Sequence, residues 1–158
     1  MTQFSHFDSQ GASRMVDVGE KEVTVRKARA SGRVRMRPDT LQRVRERGVA
    51  KGDVLEVARL AGIMAAKETA RLIPLCHSIP LDAVSLAFHF PDAATVAIEA
   101  EARATARTGV EMEALVAVST AALAIYDMCK SVDRGMVIEE VRLEEKSGGR
   151  SGHYVRGS

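Results

Sequence analysis

Tryptophan is absent from the 158 residues, and two tyrosines and four phenylalanines are the whole aromatic content. Nucleic-acid surfaces that read unpaired bases rely on aromatic platforms for stacking. With 4% aromatic residues and no stacking motif on a strand, that class is poorly supported. Cysteine is nearly as scarce. Cys76 and Cys129 lie far apart and form no C-x-x-C pair, so a thiolate zinc site is not indicated. In a reducing compartment they read as free thiols. No uncharged apolar run approaches the ~18 residues of a membrane span. The opening MTQFSHFDSQGASRMVD has no basic stretch followed by an apolar one. A cytoplasmic chain that meets no membrane is the expectation.

A strong net charge is also missing, at +2. The charge is unevenly spread, however. Between Lys21 and Lys51 there are eleven basic residues, opposed only by Glu22, Asp39 and Glu46. Such a local excess favours an anionic partner. The plain alternative is a solvated strand and helix face.

There is no internal repeat and no interdomain linker, so residues 1–158 read as one domain, with flexible ends at about 1–12 and 147–158. Residues 23–37 alternate: Gly32, Val34 and Met36 face one way, and Arg33, Arg35 and Arg37 the other, as in a half-buried strand. Pro38 suits a helix first turn, with Leu41 and Val44 at helical spacing and Gly48 as the stop. Asp53 followed by Glu56 resembles a capping box. Behind it, Val54, Val57, Ala58, Ala61, Met64 and Ala65 form one apolar stripe, and the helix must end near Arg71, before Pro74. Val84 to Phe90 and Val96 to Ala102 alternate around the Pro91-Asp92 turn, forming a hairpin. Residues 111–130 read as a second long, buried helix, and about 136–144 as a last strand. This order matches an α+β, ferredoxin-like (split β-α-β) sandwich with an antiparallel sheet and two long helices. The fold alone assigns no function.

Three segments carry chemistry. Ile73-Pro74-Leu75-Cys76-His77 places an imidazole beside a thiol on irregular backbone, where functional residues gather; a packed loop is the alternative. Glu111 and Glu113 open an otherwise apolar helix. The helix dipole excuses both structurally, yet carboxylates leading into a buried helix also suit a pocket wall. Asp127 and Lys130 share a helix face. The uncharged turns before them predict that the pair lies against a buried surface, where a lysine gains acid/base use. Lys51-Gly52 before a helix suits a phosphate. Lys146-Ser147-Gly148-Gly149-Arg150-Ser151-Gly152 is basic and Gly-rich but lacks P-loop spacing.

These segments resemble the cyclic pyranopterin monophosphate synthase (MoaC) family. The likeness is carried by Met15 to Val18, Lys51-Gly52-Asp53, Ala61-Gly62-Ile63 with Ala65-Ala66-Lys67, Ile73 to His77, Thr108 to Leu115, Tyr126 to Lys130 and Lys146 to Gly152. It runs over nearly the whole chain. Two departures are small: Ser78-Ile79-Pro80 follows His77 where many members have proline directly, and Arg150 stands where lysine is common.

The resemblance implies a lyase of molybdenum cofactor biosynthesis that takes a nucleotide-derived triphosphate, namely (8S)-3',8-cyclo-7,8-dihydroguanosine 5'-triphosphate. The products are cyclic pyranopterin monophosphate and pyrophosphate. The implied assembly is a homohexamer, a trimer of dimers. Carried over by motif, the catalytic residues are Asp127, Lys130 and Lys51, and the substrate-binding residues are Leu75, Cys76, His77, Glu111, Met112, Glu113, Lys67 and Lys146. Lys130 is then the main general acid/base, Lys51 assists, and Asp127 orients Lys130. His77 holds substrate or relays a proton. No ligand spacing requires a metal or other cofactor; Mg²⁺ is compatible with the triphosphate.

One expectation comes from geometry. Glu113 and Lys130 are 17 positions apart, or roughly 25 Å along a helix at ~1.5 Å per residue. If both meet one substrate, the site must join two subunits, as a two-fold interface does. The rival readings are a non-catalytic ferredoxin-like regulator that binds a metabolite, and an RNA-binding module suggested by the basic 21–51 region.

Overall fold

The computed structural model describes residues 4–46 and 53–157. The elements in chain order are β1 (Thr24–Arg35), α1 (Pro38–Arg45), α2 (Val54–Lys67), α3 (Thr69–Leu72), β2 (Ala83–His89), β3 (Thr95–Ala106), α4 (Glu111–Cys129), β4 (Val137–Ser147) and β5 (Tyr154–Val155). The sheet order is β2-β3-β1-β4-β5, antiparallel throughout. Its first four strands have the arrangement expected of the ferredoxin-like sandwich.

Alternation in β1 builds both faces of the sheet. Ala28, Ala30 and Val34 are buried, together with Val96, Ile98, Ala100, Ala102 and Ala104 of β3. The side chains between them point to solvent and pair across strands: Lys27 with Glu101 at 2.9 Å, Arg35 with Glu139 at 3.2 Å, Arg33 with Glu140 at 3.4 Å and Arg29 with Glu145 at 3.5 Å. Exposed pairs of this kind add little stability, at most ~1 kcal/mol each. Their consequence is electrostatic: the arginine ladder is neutralised by glutamates on neighbouring strands.

The inner face is alanine-rich because α4 lies close on it. A Cβ built on Gly32 would come within 2.6 Å of Val118 Cγ1. Across the layer, a Cβ on Gly62 of α2 would come within 2.6 Å of Leu86 Cδ2 and 2.9 Å of the Ala117 carbonyl. This packing corrects the expected stripe of α2. Its buried seam is Val54, Ala58, Gly62 and Ala66, whereas Val57, Leu60 and Met64 are exposed. Close helix contact selects small residues at i, i+4 spacing, and the larger apolar residues are left on the outer side. The cap at Asp53 is real, since its Oδ1 accepts from the Leu55 and Glu56 N–H groups. The Glu56 carboxylate pairs with Arg59 at 3.0 Å. Helical structure continues to Leu72 after a break at Glu68.

By length and composition alone, α4 is apolar enough to cross a membrane, with a mean hydropathy of 1.4. That differs from the expectation that nothing approaches a span. Its Ala114, Ala117, Val118, Ala121, Ala122, Ile125 and Cys129 are wholly buried in the domain, so α4 is the core helix.

Asp133, just beyond α4, is the structural carboxylate. It is 5% exposed and accepts hydrogen bonds from the Arg37 N–H (2.9 Å), the Thr40 hydroxyl (3.2 Å) and the Gly135 N–H (3.1 Å). It therefore caps α1, whose N-terminal residue Arg37 offers no side-chain cap. These partners, the Arg37 N–H first, hold its carboxyl below the ordinary range. Asp133→Ala should cost about 2–3 kcal/mol in a urea titration at neutral pH, as a lost cap plus charged hydrogen bonds. The folded pKa is depressed, so this stability is complete above the unfolded carboxyl's pKa of about 4 and is lost as pH falls through the lower folded value. The variant's acid limb should be correspondingly flatter.

Local pairing is present near both ends. Phe7 bridges Ser13 in an N-terminal turn, and β5 pairs with β4.

Candidate active site

The start of α4 is where distant segments meet. The loop after α3 is turned by a Cys76 N–H to Ile73 carbonyl bond of 3.1 Å. It places Leu75, Cys76, His77 and Ile79 beside Glu111, Met112 and Glu113. With Val16, Val18 and the Thr108-Gly109 bend they enclose a cavity of about 430 Å³. At the bend the Glu111 carboxylate folds back against Gly109, in the space a Cβ would take. A second cavity of about 200 Å³ adjoins the first, sharing Lys21, Thr108, Gly109 and Glu111. Its walls are cationic: Lys21, Arg26, Lys27, Arg107 and Lys146 all reach it.

The electrostatics of the larger cavity follow from burial. Glu113 is 4% exposed, and burial pushes its carboxyl pKa up, with the Glu111 charge adding to the shift. Burial also raises the Cys76 thiol, helped by Glu113 and Glu111. Cys76 therefore stays a thiol at neutral pH and is no thiolate nucleophile. Glu111 faces Lys146 at 3.2 Å. His77 Nε2 lies 2.7 Å from the Val16 carbonyl. A carbonyl can only accept, so Nε2 carries the proton and Nδ1 is the basic nitrogen of the neutral ring.

Of the residues picked out in the sequence, Leu75, Cys76, His77, Glu111, Met112, Glu113 and Lys146 come together here. Asp127 and Lys130 do not. They form a 2.5 Å ion pair at the far end of α4, with side chains 61% and 53% exposed, respectively. Among the described residues of the single chain, no buried surface covers them. Ile125, Met128 and Cys129 occupy the inward sides of that turn, while Leu123, Asp127 and Lys130 form an outward stripe. Lys67 is exposed in the last turn of α2, outside the linings of both cavities. Lys51 lies outside the described residues.

Sequence reasoning missed Lys21, Arg26, Lys27 and Arg107 as one group. The first three belong to the basic excess, but charge along a chain does not reveal depth. Arg26 is 8% exposed, its guanidinium held by the Ala106 and Arg107 carbonyls at 3.2 and 3.1 Å.

Residues 15–149 match the MoaC family. A cyclic pyranopterin monophosphate synthase of Magnetococcus marinus is 65% identical over 158 residues, 99% of this chain and 96% of the relative. One from Heliobacterium modesticaldum is 58% identical, covering 99% of each. The Mycobacterium tuberculosis protein named cyclic pyranopterin monophosphate synthase 3 is 57% identical over 96% of this chain and 86% of its own length.

Proposed function

The chain belongs to the MoaC family, and from that premise we propose how it works as a cyclic pyranopterin monophosphate synthase, a lyase of molybdenum cofactor biosynthesis. The observation that carries the reading is the pair of adjoining cavities with unlike walls. The substrate has two unlike halves, a purine-derived ring system and a triphosphate. The ring system suits the larger cavity, where Glu111 and Glu113 can accept its N–H groups and Leu75 and Met112 supply apolar wall. The triphosphate suits the cationic cavity. Mg²⁺, if it accompanies the phosphates, arrives on the substrate's own oxygens.

The reaction needs proton transfers during ring rearrangement. It also needs an intramolecular attack: a sugar-derived hydroxyl oxygen bonds to the α-phosphorus, and the bond from that phosphorus to the bridging oxygen breaks, releasing pyrophosphate. The protein's part is to position, to move protons and to neutralise charge. Lys130 is the main general acid/base, oriented by Asp127, and Lys51 assists. His77 Nδ1 relays a proton or holds substrate.

Seventeen positions of continuous helix separate Glu113 from Lys130, about 25 Å at the helical rise. We therefore place each active site at a subunit interface, with the start of α4 from one chain and its end from another. The exposed Val57, Leu60, Met64 and Leu123 supply apolar surface for such contacts in a homohexamer built as a trimer of dimers. Its setting is the cytoplasm, where nucleoside triphosphates are made and used.

Incubating the protein with the cyclised triphosphate should release pyrophosphate, with the cyclic monophosphate detected by mass spectrometry. Tight binding without pyrophosphate release would instead mark a metabolite-binding regulator.

A further inference from the structure

The chain beyond β4 has no part in this scheme, yet it is closely built around Lys146, which lies near the end of β4. Gly148 and Gly149 take φ of +96° and +75°. A Cβ at Gly148 would collide with the Val25 carbonyl, and one at Gly149 with the Arg26 guanidinium. Only glycines let the chain lie flat on that buried arginine while adopting left-handed backbone. The turn closes with a Gly152 N–H to Gly149 carbonyl bond of 3.2 Å, and Tyr154 then pairs with Lys146 in β4. Arg156 fastens the returning strand: its N–H donates to the Glu144 carbonyl (2.8 Å) and its Nε to the Leu143 carbonyl (2.7 Å). His153 Nε2 lies 2.8 Å from Glu145 Oε1, on the carboxylate that also meets Arg29.

Inside this hairpin sits Ser151. Its Oγ accepts from Lys146 Nζ at 2.8 Å, and the same ammonium lies 3.2 Å from Glu111 Oε1. Both Ser151 and Lys146 line the cationic cavity. We infer that Ser151 is a positioning residue: the hairpin sets its hydroxyl so that, with Glu111, it holds the Lys146 ammonium at the place where phosphate oxygens arrive. A free lysine has a flexible four-carbon stem whose ordering opposes binding. An ammonium already held by two acceptors on separate elements has lost that freedom beforehand, so less affinity is given up on contact. The inference rests on the assignment of this cavity to the phosphate chain.

The test uses Ser151→Ala and Ser151→Thr in the full-length protein, with inorganic pyrophosphate as the probe in titration calorimetry. Ser151→Ala should weaken pyrophosphate binding about five- to tenfold, and Ser151→Thr, which keeps the hydroxyl, should stay within about twofold of the parent. KM for the triphosphate should rise in parallel while kcat changes less than about twofold, the pattern of lost binding that is equal in ground and transition states. Unchanged pyrophosphate affinity in Ser151→Ala overturns the inference, as does an equal loss in both variants. The binding arm needs no turnover. A parent protein that binds pyrophosphate through Ser151 but makes no product refutes the proposed reaction while supporting the hairpin's role. Turnover with a Ser151-independent KM refutes only the hairpin's role.

Discussion

Lys130→Ala should make no measurable cyclic product from the cyclised triphosphate, while folding and assembling as the parent does. Lys130→Gln should behave alike, because it restores length and hydrogen bonding but cannot carry a proton. The argument begins with what the substitution leaves intact. Lys130 closes α4 through its backbone, the N–H donating to the Tyr126 carbonyl at 2.8 Å, and neither variant removes that bond. Its side chain is half exposed, so truncation opens no cavity in the core. An exposed i,i+3 ion pair contributes only about 0.5 kcal/mol to folding. The chemical cost is of another order, since loss of a general acid/base removes roughly 10²- to 10⁴-fold in rate. Melting temperature, oligomer size and pyrophosphate release should be measured on one preparation. Turnover within tenfold of the parent would remove Lys130 from the centre of the reaction.

The second large effect is a recovery. Glu113→Gln and Lys130→Ala proteins should each be inactive alone and active when mixed under conditions that exchange subunits. If each site takes the start of α4 from one chain and the end from its two-fold partner, a mixed dimer holds one intact site and one doubly altered site. Random pairing at equal concentrations makes half the dimers mixed, so about a quarter of the parent's activity should return. No recovery despite demonstrated exchange would mean that each site is built within one chain. Glu113 is the better partner for this experiment than Glu111. It is buried in the larger cavity, whereas Glu111 also holds Lys146, and its loss would disturb the cationic side as well.

How much of this could be read beforehand differs from residue to residue. The two faces of β1 were legible, because Arg33, Arg35 and Arg37 interleave with Gly32, Val34 and Met36 and period-two alternation has no other economical explanation. The seam of α2 was not. Hydrophobic periodicity ranks Val57 and Met64 above Gly62 and Ala66, but a close helix–helix contact is decided by size, and size is invisible to that ranking. The segments at 75–77 and 111–113 could be recognised singly and through their family likeness. That they face one cavity depends on how β2 and β3 return the chain between them. The surroundings of Asp127 and Lys130 were misjudged because the apolar run before them marks a buried helix without marking which side of its last turn stays outside. The cations at Lys21, Arg26, Lys27 and Arg107 were visible as charge, but their convergence needs the β1–β3 register, which places Thr24 opposite Ala106.

The hydropathy of α4 also bears on how the chain is made. A helix of this composition, uncovered, is the segment that a lipid bilayer or a neighbouring nascent chain would capture first. Its cover consists of α2, β1 and β3, with β4 added at the edge, and all but β4 precede it in the chain. When residues 111–129 leave the ribosome, the surfaces that bury them have already been synthesised. The gene order of the elements thus shortens the interval during which this apolar stretch is exposed.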